Sequence, residues 1–220
     1  MGKLRSSKTL KPPTNYSGSK DKLLSQMVNY FPNRENVNTF YDVFCGGLSV
    51  SINTDYQKII ANDIITPLMW FYKNLQNAAN SGQVDLEIEK IMICRVDKTS
   101  KEDFLNVRTS FNKTRDPYLF FALVSSCTNN MMRFNKKFQF NQSFGKRTVN
   151  DNTIQKIRDY CEVLKEKDIF FTRHNFMELI EKYPPGKNDF VYLDPPYAFI
   201  TEAGYNAYWS KEDEENLYKL

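Results

Sequence analysis

The stretch Phe40-Tyr41-Asp42-Val43-Phe44-Cys45-Gly46-Gly47-Leu48-Ser49-Val50-Ser51-Ile52 decides the fold. Phe40 to Phe44 form a short apolar run, Gly46-Gly47 break it, and Leu48, Val50 and Ile52 resume behind the break, which predicts strand, glycine turn, helix. The rhythm then repeats. Lys58-Ile59-Ile60-Ala61-Asn62-Asp63 has the pattern of a second buried strand ending on an acid. Pro67 suits the first turn of a helix carried by Leu68, Met69, Phe71, Tyr72 and Leu75. Alternation of this kind predicts a parallel sheet in an α/β fold.

Upstream, Leu23, Leu24, Met27, Val28 and Phe31 recur at helical spacing before Pro32, so an amphipathic helix is expected from Lys20. The polar, Pro-containing residues 1–14 are expected to be disordered. Downstream, the rhythm stops between residues 83 and 148: charged helical stretches, an apolar helix from Tyr118 to Ser126, then the Asn-rich segment Thr128 to Ser143. Within that segment Met131 to Asn141 partly alternates and contains turn formers, the pattern of a β-hairpin. The stretch has the character of an inserted domain. Strand and helix alternation then returns, with a helix at 154–164, a strand at 169–172, a helix at 176–182 and a strand Phe190 to Leu193 leading into Asp194-Pro195-Pro196-Tyr197.

Composition bounds the function. In 220 residues, 41% of them hydrophobic, there are 17 Phe and 13 Tyr, enough large apolar surface for a real core. No apolar run is long enough to cross a bilayer. The start, Met1-Gly2-Lys3-Leu4-Arg5, does not lead into an apolar signal segment, and the four cysteines stand too far apart for a zinc or redox motif. A cytoplasmic protein with free thiols and no metal is therefore expected. The single histidine, His174, suits an ordinary loop residue and leaves no basis for histidine catalysis. The net charge of +4 is mild, but Lys3, Arg5, Lys8, Lys11, Lys20 and Lys22 cluster at the start, and Arg133, Lys136, Lys137, Lys146 and Arg147 in mid-chain. A solvated face and a polyanion-binding face both fit those clusters.

In a parallel sheet, ligands bind beyond the carboxyl ends of the strands. Four such ends carry distinctive residues: Asp42 to Gly47, Asn62-Asp63, Arg173-His174-Asn175-Phe176 and Asp194 to Tyr197. Singly, a glycine pair is also a tight turn and a terminal acid also a helix cap. Together, glycines that admit a ligand and a later acid that accepts ribose hydroxyls match the way nucleotide-type cofactors are held. The glycine spacing fits neither a dinucleotide fingerprint nor a phosphate-binding loop, which favours a nucleoside cofactor without phosphates, the class that includes S-adenosylmethionine. Asp194-Pro195-Pro196-Tyr197 is a rigid loop offering acceptors and a stacking face. It can hold the exocyclic amine of a base, with the Asp194 carboxylate and Pro195 carbonyl as acceptors and Tyr197 stacked on the ring; it can equally be a polyproline-like turn with a capping Asp.

From about Asn15 to Leu220 the order of these motifs resembles the Dam-type DNA adenine-N6 methyltransferases, especially the T-even phage branch. Tyr16-Ser17-Gly18-Ser19-Lys20 is similar to that family's opening cofactor motif, Asp42 to Ser51 to its glycine motif, Asn62-Asp63-Ile64 to its ribose motif and Asp194 to Tyr197 to its catalytic motif. The resemblance implies a Rossmann-like S-adenosylmethionine-dependent methyltransferase fold, with 15–82 and 149–220 as a discontinuous catalytic domain. Residues 83–148 would be a mainly helical target-recognition domain containing a β-hairpin. It implies that Tyr16, Lys20, Asp63 and Asp194 contact S-adenosylmethionine, that Phe44, Gly46 and Gly47 line its pocket, and that Asp194, Pro195, Pro196 and Tyr197 hold a flipped adenine. The loop at Asn175 and Phe176 stands at a further cofactor motif but lacks the acid some relatives have there.

For double-stranded DNA, the resemblance implies that Asn130, Met131 and Arg133 belong to the segment reading GATC. Arg133 would read guanine O6 and N7, Met131 would meet a thymine methyl, and Lys146 and Arg147 would sit on phosphates. Ser143 stands where the phage relative has proline. The family continues past the helix in which this sequence ends, so the resemblance also implies that the last strands of the sheet lie outside it, in a truncated product or with a second chain completing the sheet. Function then divides between an active methyltransferase in a bacterial or phage-infected cell and an inactive remnant that still binds S-adenosylmethionine or DNA. A nucleotide enzyme of another kind is disfavoured by the missing phosphate loop.

Overall fold

A computed structural model describes residues 1–14, 18–195 and 209–219. Four short strands, β1 (Phe40–Asp42), β2 (Lys58–Asn62), β3 (Asp168–Thr172) and β4 (Phe190–Tyr192), form one sheet in the order β3-β2-β1-β4 with every pairing parallel. The register aligns Asp42 with Ala61 on one side and with Tyr192 on the other. Strand alternation divides the two faces. Phe40, Ile59, Ala61, Ile169 and Phe190 enter the large core, whereas Tyr41, Val43, Ile60 and Val191 enter a smaller one closed by Phe176 and Leu179. With both faces covered, the strands read as continuous apolar runs.

On the large face, α1 (Leu24–Met27), α2 (Ser49–Asn53), α3 (Thr66–Ser81), α4 (Val84–Ile93), α5 (Lys101–Thr114), α6 (Pro117–Ser126) and α7 (Asp151–Glu166) share one core; α8 (Phe176–Lys182) covers the other face. A last helix, α9 (Lys211–Leu217), opens with a Ser210/Asp213 capping box. The helix ends follow local chemistry. Asp116 caps α6 by accepting from the Tyr118 and Leu119 N–H groups at 2.8 and 3.0 Å, Asn150 caps α7, and α3 stops at Gly82, whose φ of 71° suits glycine.

Three expectations change. The helix from Lys20 to Phe31 shrinks to the single turn α1 followed by a 3-10 turn, Val28–Tyr30. No side chain caps its start, and Pro32 forces Phe31 into extended backbone at φ −80°, ψ 149°. Residues 1–14 are ordered against the body, not loose. Gly2 N–H donates to the Phe31 carbonyl at 2.8 Å, Arg5 N–H to the Asn53 carbonyl at 2.8 Å, and Leu10 exchanges two bonds with the Asn53 amide. Polar composition hid this because the anchors are backbone groups. Residues 83–148 also lack a core of their own: Phe121 of α6 stacks on Phe71 of α3 with ring centroids 4.4 Å apart, so the inserted stretch extends the core over the sheet. Its hairpin is held by two isolated antiparallel bridges, Cys127 with Phe144 and Phe134 with Phe140.

Candidate active site

The strand order reverses at β1: β2 and β3 lie to one side of it and β4 to the other. A crevice must open there at the carboxyl ends. A cavity of about 640 Å³ does so, lined by Asp42 to Gly47, Asn62 to Pro67 and Asp194-Pro195. Its size falls within the usual range for a small-molecule site.

Four strand ends are tied together by their own residues. Asn62 Nδ2 donates to the Val43 and His174 carbonyls, both at 3.0 Å, while its Oδ1 accepts from the Thr172 hydroxyl and the His174 N–H, both at 2.8 Å. One buried amide thus uses its donors and its acceptor to fix the ends of β1, β2 and β3. Val43 N–H donates to the Tyr192 carbonyl at 3.2 Å and joins β4. Next to Asn62, Asp63 accepts from Gly46 N–H at 3.1 Å through one carboxylate oxygen and from Ile65 N–H at 2.9 Å through the other. A carboxylate has about four lone-pair sites, so two remain for ligand hydroxyls. Gly46 adopts φ 45°, the left-handed backbone that brings its N–H onto Asp63.

The cavity is acidic. Asp42 is buried and its carboxyl is pushed up to about 7, first by burial and then by the neighbouring Asp194 and Asp63 carboxylates, against the Ser51 hydroxyl that donates to it at 2.6 Å. Burial also raises Asp63, opposed by its two backbone donors. Beside them the Cys45 thiol is pushed well up by burial and by Asp42 and Asp63, so it is no nucleophile. Lys20 forms an ion pair with Asp194, and its backbone N–H donates to the Ser49 hydroxyl of α2 at 3.2 Å. A phosphate would meet carboxylates here, whereas a ligand carrying positive charge and free hydroxyls suits the donor set.

Aromatic residues wall the opposite side: Phe44 lies 5.7 Å from Phe176 and 5.5 Å from Trp209, edge-on to the latter. Trp209 is fixed by donating its indole N–H to Glu214 at 2.6 Å. The inserted stretch supplies Phe111, Arg115, Phe134 and Phe138 to the same cavity. Arg115 ends α5 in left-handed backbone at φ 61°, and its guanidinium lies over Phe111 and donates to the Phe138 carbonyl. No sequence signal marked these four, because nothing local shows that the insertion folds back over the crevice. Trp70, with Arg173 5.0 Å from its ring centroid, also went unmarked.

Among the expected site residues, Lys20, Phe44, Gly46, Gly47, Asp63, Asp194 and Pro195 converge on the cavity. Tyr16, Pro196 and Tyr197 lie outside the described residues. Met131, Arg133, Lys146 and Arg147 sit apart from the cavity lining on the inserted stretch. Asn130 is a correction: expected at a DNA surface, it is buried, donating to the Val124 carbonyl at 2.9 Å and accepting from Arg147 at 2.6 Å. Its place in the 3-10 turn Thr128–Asn130 that follows α6 puts its amide inside, where both polar ends must be satisfied. Among the described residues no group of His, Cys, Asp or Glu could hold a metal ion, and no helix is long and apolar enough to cross a membrane.

Comparison with known proteins places this geometry. Residues 16–219 match the family described as D12 class N6 adenine-specific DNA methyltransferase. The chain is similar to modification methylase StsI of Streptococcus sanguinis, 35% identical over 201 residues that cover 90% of this chain and 30% of that protein. It is similar to the type II methyltransferase M.FokI of Planomicrobium okeanokoites, 32% identical over 94% of this chain and 32% of the relative. With the DNA adenine methylase of Serratia marcescens the identity is 26%, covering 93% of this chain and 75% of the relative. The chain thus spans about a third of the length of the first two.

Proposed function

Because the chain belongs to the D12 class of N6 adenine-specific DNA methyltransferases, we propose that it transfers a methyl group from S-adenosylmethionine to adenine N6 in double-stranded DNA, with GATC as the target. The observation that carries this reading is the convergence of Asp63, Lys20 and Asp194 on one acidic, phosphate-averse cavity at the point where the strand order reverses.

The residues fit the cofactor. Asp63 has carboxylate capacity to spare for ribose hydroxyls, Gly46 and Gly47 leave the wall open beside it, and the Asp63 and Asp194 carboxylates favour a cation over an anion. When bound, S-adenosylmethionine supplies an electrophilic methyl group. The chain's part is positioning. The Asp194 carboxylate and the Pro195 carbonyl accept the two hydrogens of the adenine amine and so orient its lone pair. Lys20 holds the Asp194 carboxylate in place through their ion pair. Phe44, Phe176 and Trp209 exclude water from that side. A flipped base is required, since N6 is out of reach within the duplex.

The likeness to Dam-type enzymes of T-even phages supports GATC as the site. StsI carries the name of a modification methylase and M.FokI that of a type II methyltransferase, which supports a protective role beside a restriction enzyme. Arg133 and Met131 read the bases, Lys146 and Arg147 hold the backbone, and a second chain would complete the sheet. The test is transfer of radiolabelled methyl from S-adenosylmethionine to unmethylated duplex, with protection from a GATC-specific endonuclease as readout. Transfer that Asp194→Ala abolishes supports the reading. A cooperatively folded chain that binds S-adenosylmethionine and transfers nothing overturns it.

A further inference from the structure

Arg133 and Asn141 face each other across the hairpin, joined by three hydrogen bonds. Asn141 N–H donates to the Arg133 carbonyl at 3.0 Å, Arg133 Nε donates to Asn141 Oδ1 at 3.0 Å, and Arg133 Nη2 donates to the Asn141 carbonyl at 3.1 Å. A guanidinium presents two donor forks, one along its side through Nε and Nη2 and one at its tip through Nη1 and Nη2. Asn141 occupies the side fork with two acceptors of one residue. The tip fork stays available on an exposed side chain.

We infer that Asn141 is a positioning residue for DNA recognition, holding Arg133 so that only its Nη1/Nη2 tip can meet a base edge. This rests on the reading of Arg133 as a base reader. A long, unrestrained arginine loses side-chain entropy on binding and can reach phosphates as easily as bases. Pinned along its side, Arg133 keeps one planar pair of donors aimed outward, the geometry that matches O6 and N7 of guanine. Arg147 shows the same device with the opposite edge: Asn130 Oδ1 holds its Nη1 at 2.6 Å, and Asn130 is itself fixed to the Val124 carbonyl at the end of α6. Two asparagines thus fix two arginines before any DNA arrives, one by the side and one by the tip.

The experiment compares the full chain with Asn141→Ala, Arg133→Ala and the double variant. Methyl transfer is measured on duplexes carrying the preferred site and each single base-pair change. Asn141→Ala removes the amide arm of the fork and leaves the carbonyl arm, so discrimination at the base pair lost in Arg133→Ala should fall by about tenfold. The double variant should be no less selective than Arg133→Ala alone. Unchanged selectivity in Asn141→Ala, or losses that multiply in the double variant, would overturn the assignment. Exchange of the Arg133 Nε proton, followed by nitrogen-15 NMR, gives a readout independent of catalysis: it should be slow in the parent and in Asn141→Asp, and fast in Asn141→Ala. Equally fast exchange in all three overturns the fork even if the chain methylates DNA. A parent that shows the slow proton but methylates no duplex overturns the functional reading instead.

Discussion

The Asp63 carboxylate accepts the Gly46 N–H across 3.1 Å and thereby clamps the turn after β1 to the end of β2. Its second oxygen takes the Ile65 N–H at 2.9 Å, just before α3 begins, so one side chain sets the shape of the glycine turn and the entry to a helix. The residue expected to hold ribose is therefore also what keeps the wall of the ribose site in place.

Asp63→Ala should consequently fail twice over. It leaves two backbone donors in a buried place without their partner, at a cost of about 2–4 kcal/mol. It also removes the acceptors offered to the ligand. Calorimetry should find S-adenosylmethionine binding weakened at least about tenfold, one lost hydrogen bond to a charged group being enough for that. Urea unfolding should find the lower stability without ligand. Binding at parental affinity would remove Asp63 from the cofactor site.

Asp42 should make stability depend on pH. Its carboxyl is raised from 3.8 to about 7 by burial, so between those values the unfolded chain ionises it and the folded chain does not. The contribution is fully present below about pH 4 and is lost as pH rises through 7, on the order of 4 kcal/mol in all. Asp42→Asn has no proton to lose. Measured by urea unfolding, the variant should gain on the parent by roughly that amount between pH 4 and pH 8. A stability difference that does not move with pH would mean that Asp42 is ionised throughout.

The parallel sheet was legible because Phe40 to Phe44, Lys58 to Asp63, Ile169 to Thr172 and Phe190 to Leu193 are apolar runs of strand length, each near a glycine, proline or acid that marks its end. The candidate site followed from the same fact: parallel strand ends meet at one edge, so Gly46, Asp63 and Asp194 had to be neighbours. What stayed hidden depends on tertiary choices. Arg115 and Phe138 reach the cavity only because α5 and the hairpin fold back over it. Asn130 looked like a surface amide in an Asn-rich stretch, yet the 3-10 turn after α6 folds it inward onto the Val124 carbonyl. Nothing in the sequence singles out Lys167, yet it is buried with its ammonium on three carbonyls.

That lysine supports a third prediction. Lys167 Nζ donates to the carbonyls of Ser51, Thr54 and Tyr56 at 2.9, 2.6 and 2.7 Å, which close the end of α2. A cation at a helix carboxyl end also meets the negative end of the helix dipole. Lys167→Met keeps the bulk and leaves the carbonyls without their donor, so stability should drop by about 2–4 kcal/mol. Because α2 carries Ser49 and Ser51, which hold Lys20 and Asp42, affinity for S-adenosylmethionine should fall as well. A variant of parental stability would show that water replaces the ammonium at no cost.

Lys146 and Arg133 should separate affinity from selectivity. Lys146 is exposed on the inserted stretch and turns the chain in left-handed backbone at φ 54°, next to Arg147, whose guanidinium is held on Asn130. A lysine on phosphate acts as a point charge without sequence information. Lys146→Ala should therefore weaken binding to all duplexes alike and reduce the slope of log affinity against log salt by about one. Arg133→Ala should leave that slope nearly intact and cost about 1–3 kcal/mol of discrimination at a single base pair. Fluorescence anisotropy on labelled duplexes across a salt series measures both. The opposite pattern, a changed slope for Arg133→Ala with selectivity retained, would place Arg133 on the backbone and leave the reading of bases to other residues of the hairpin.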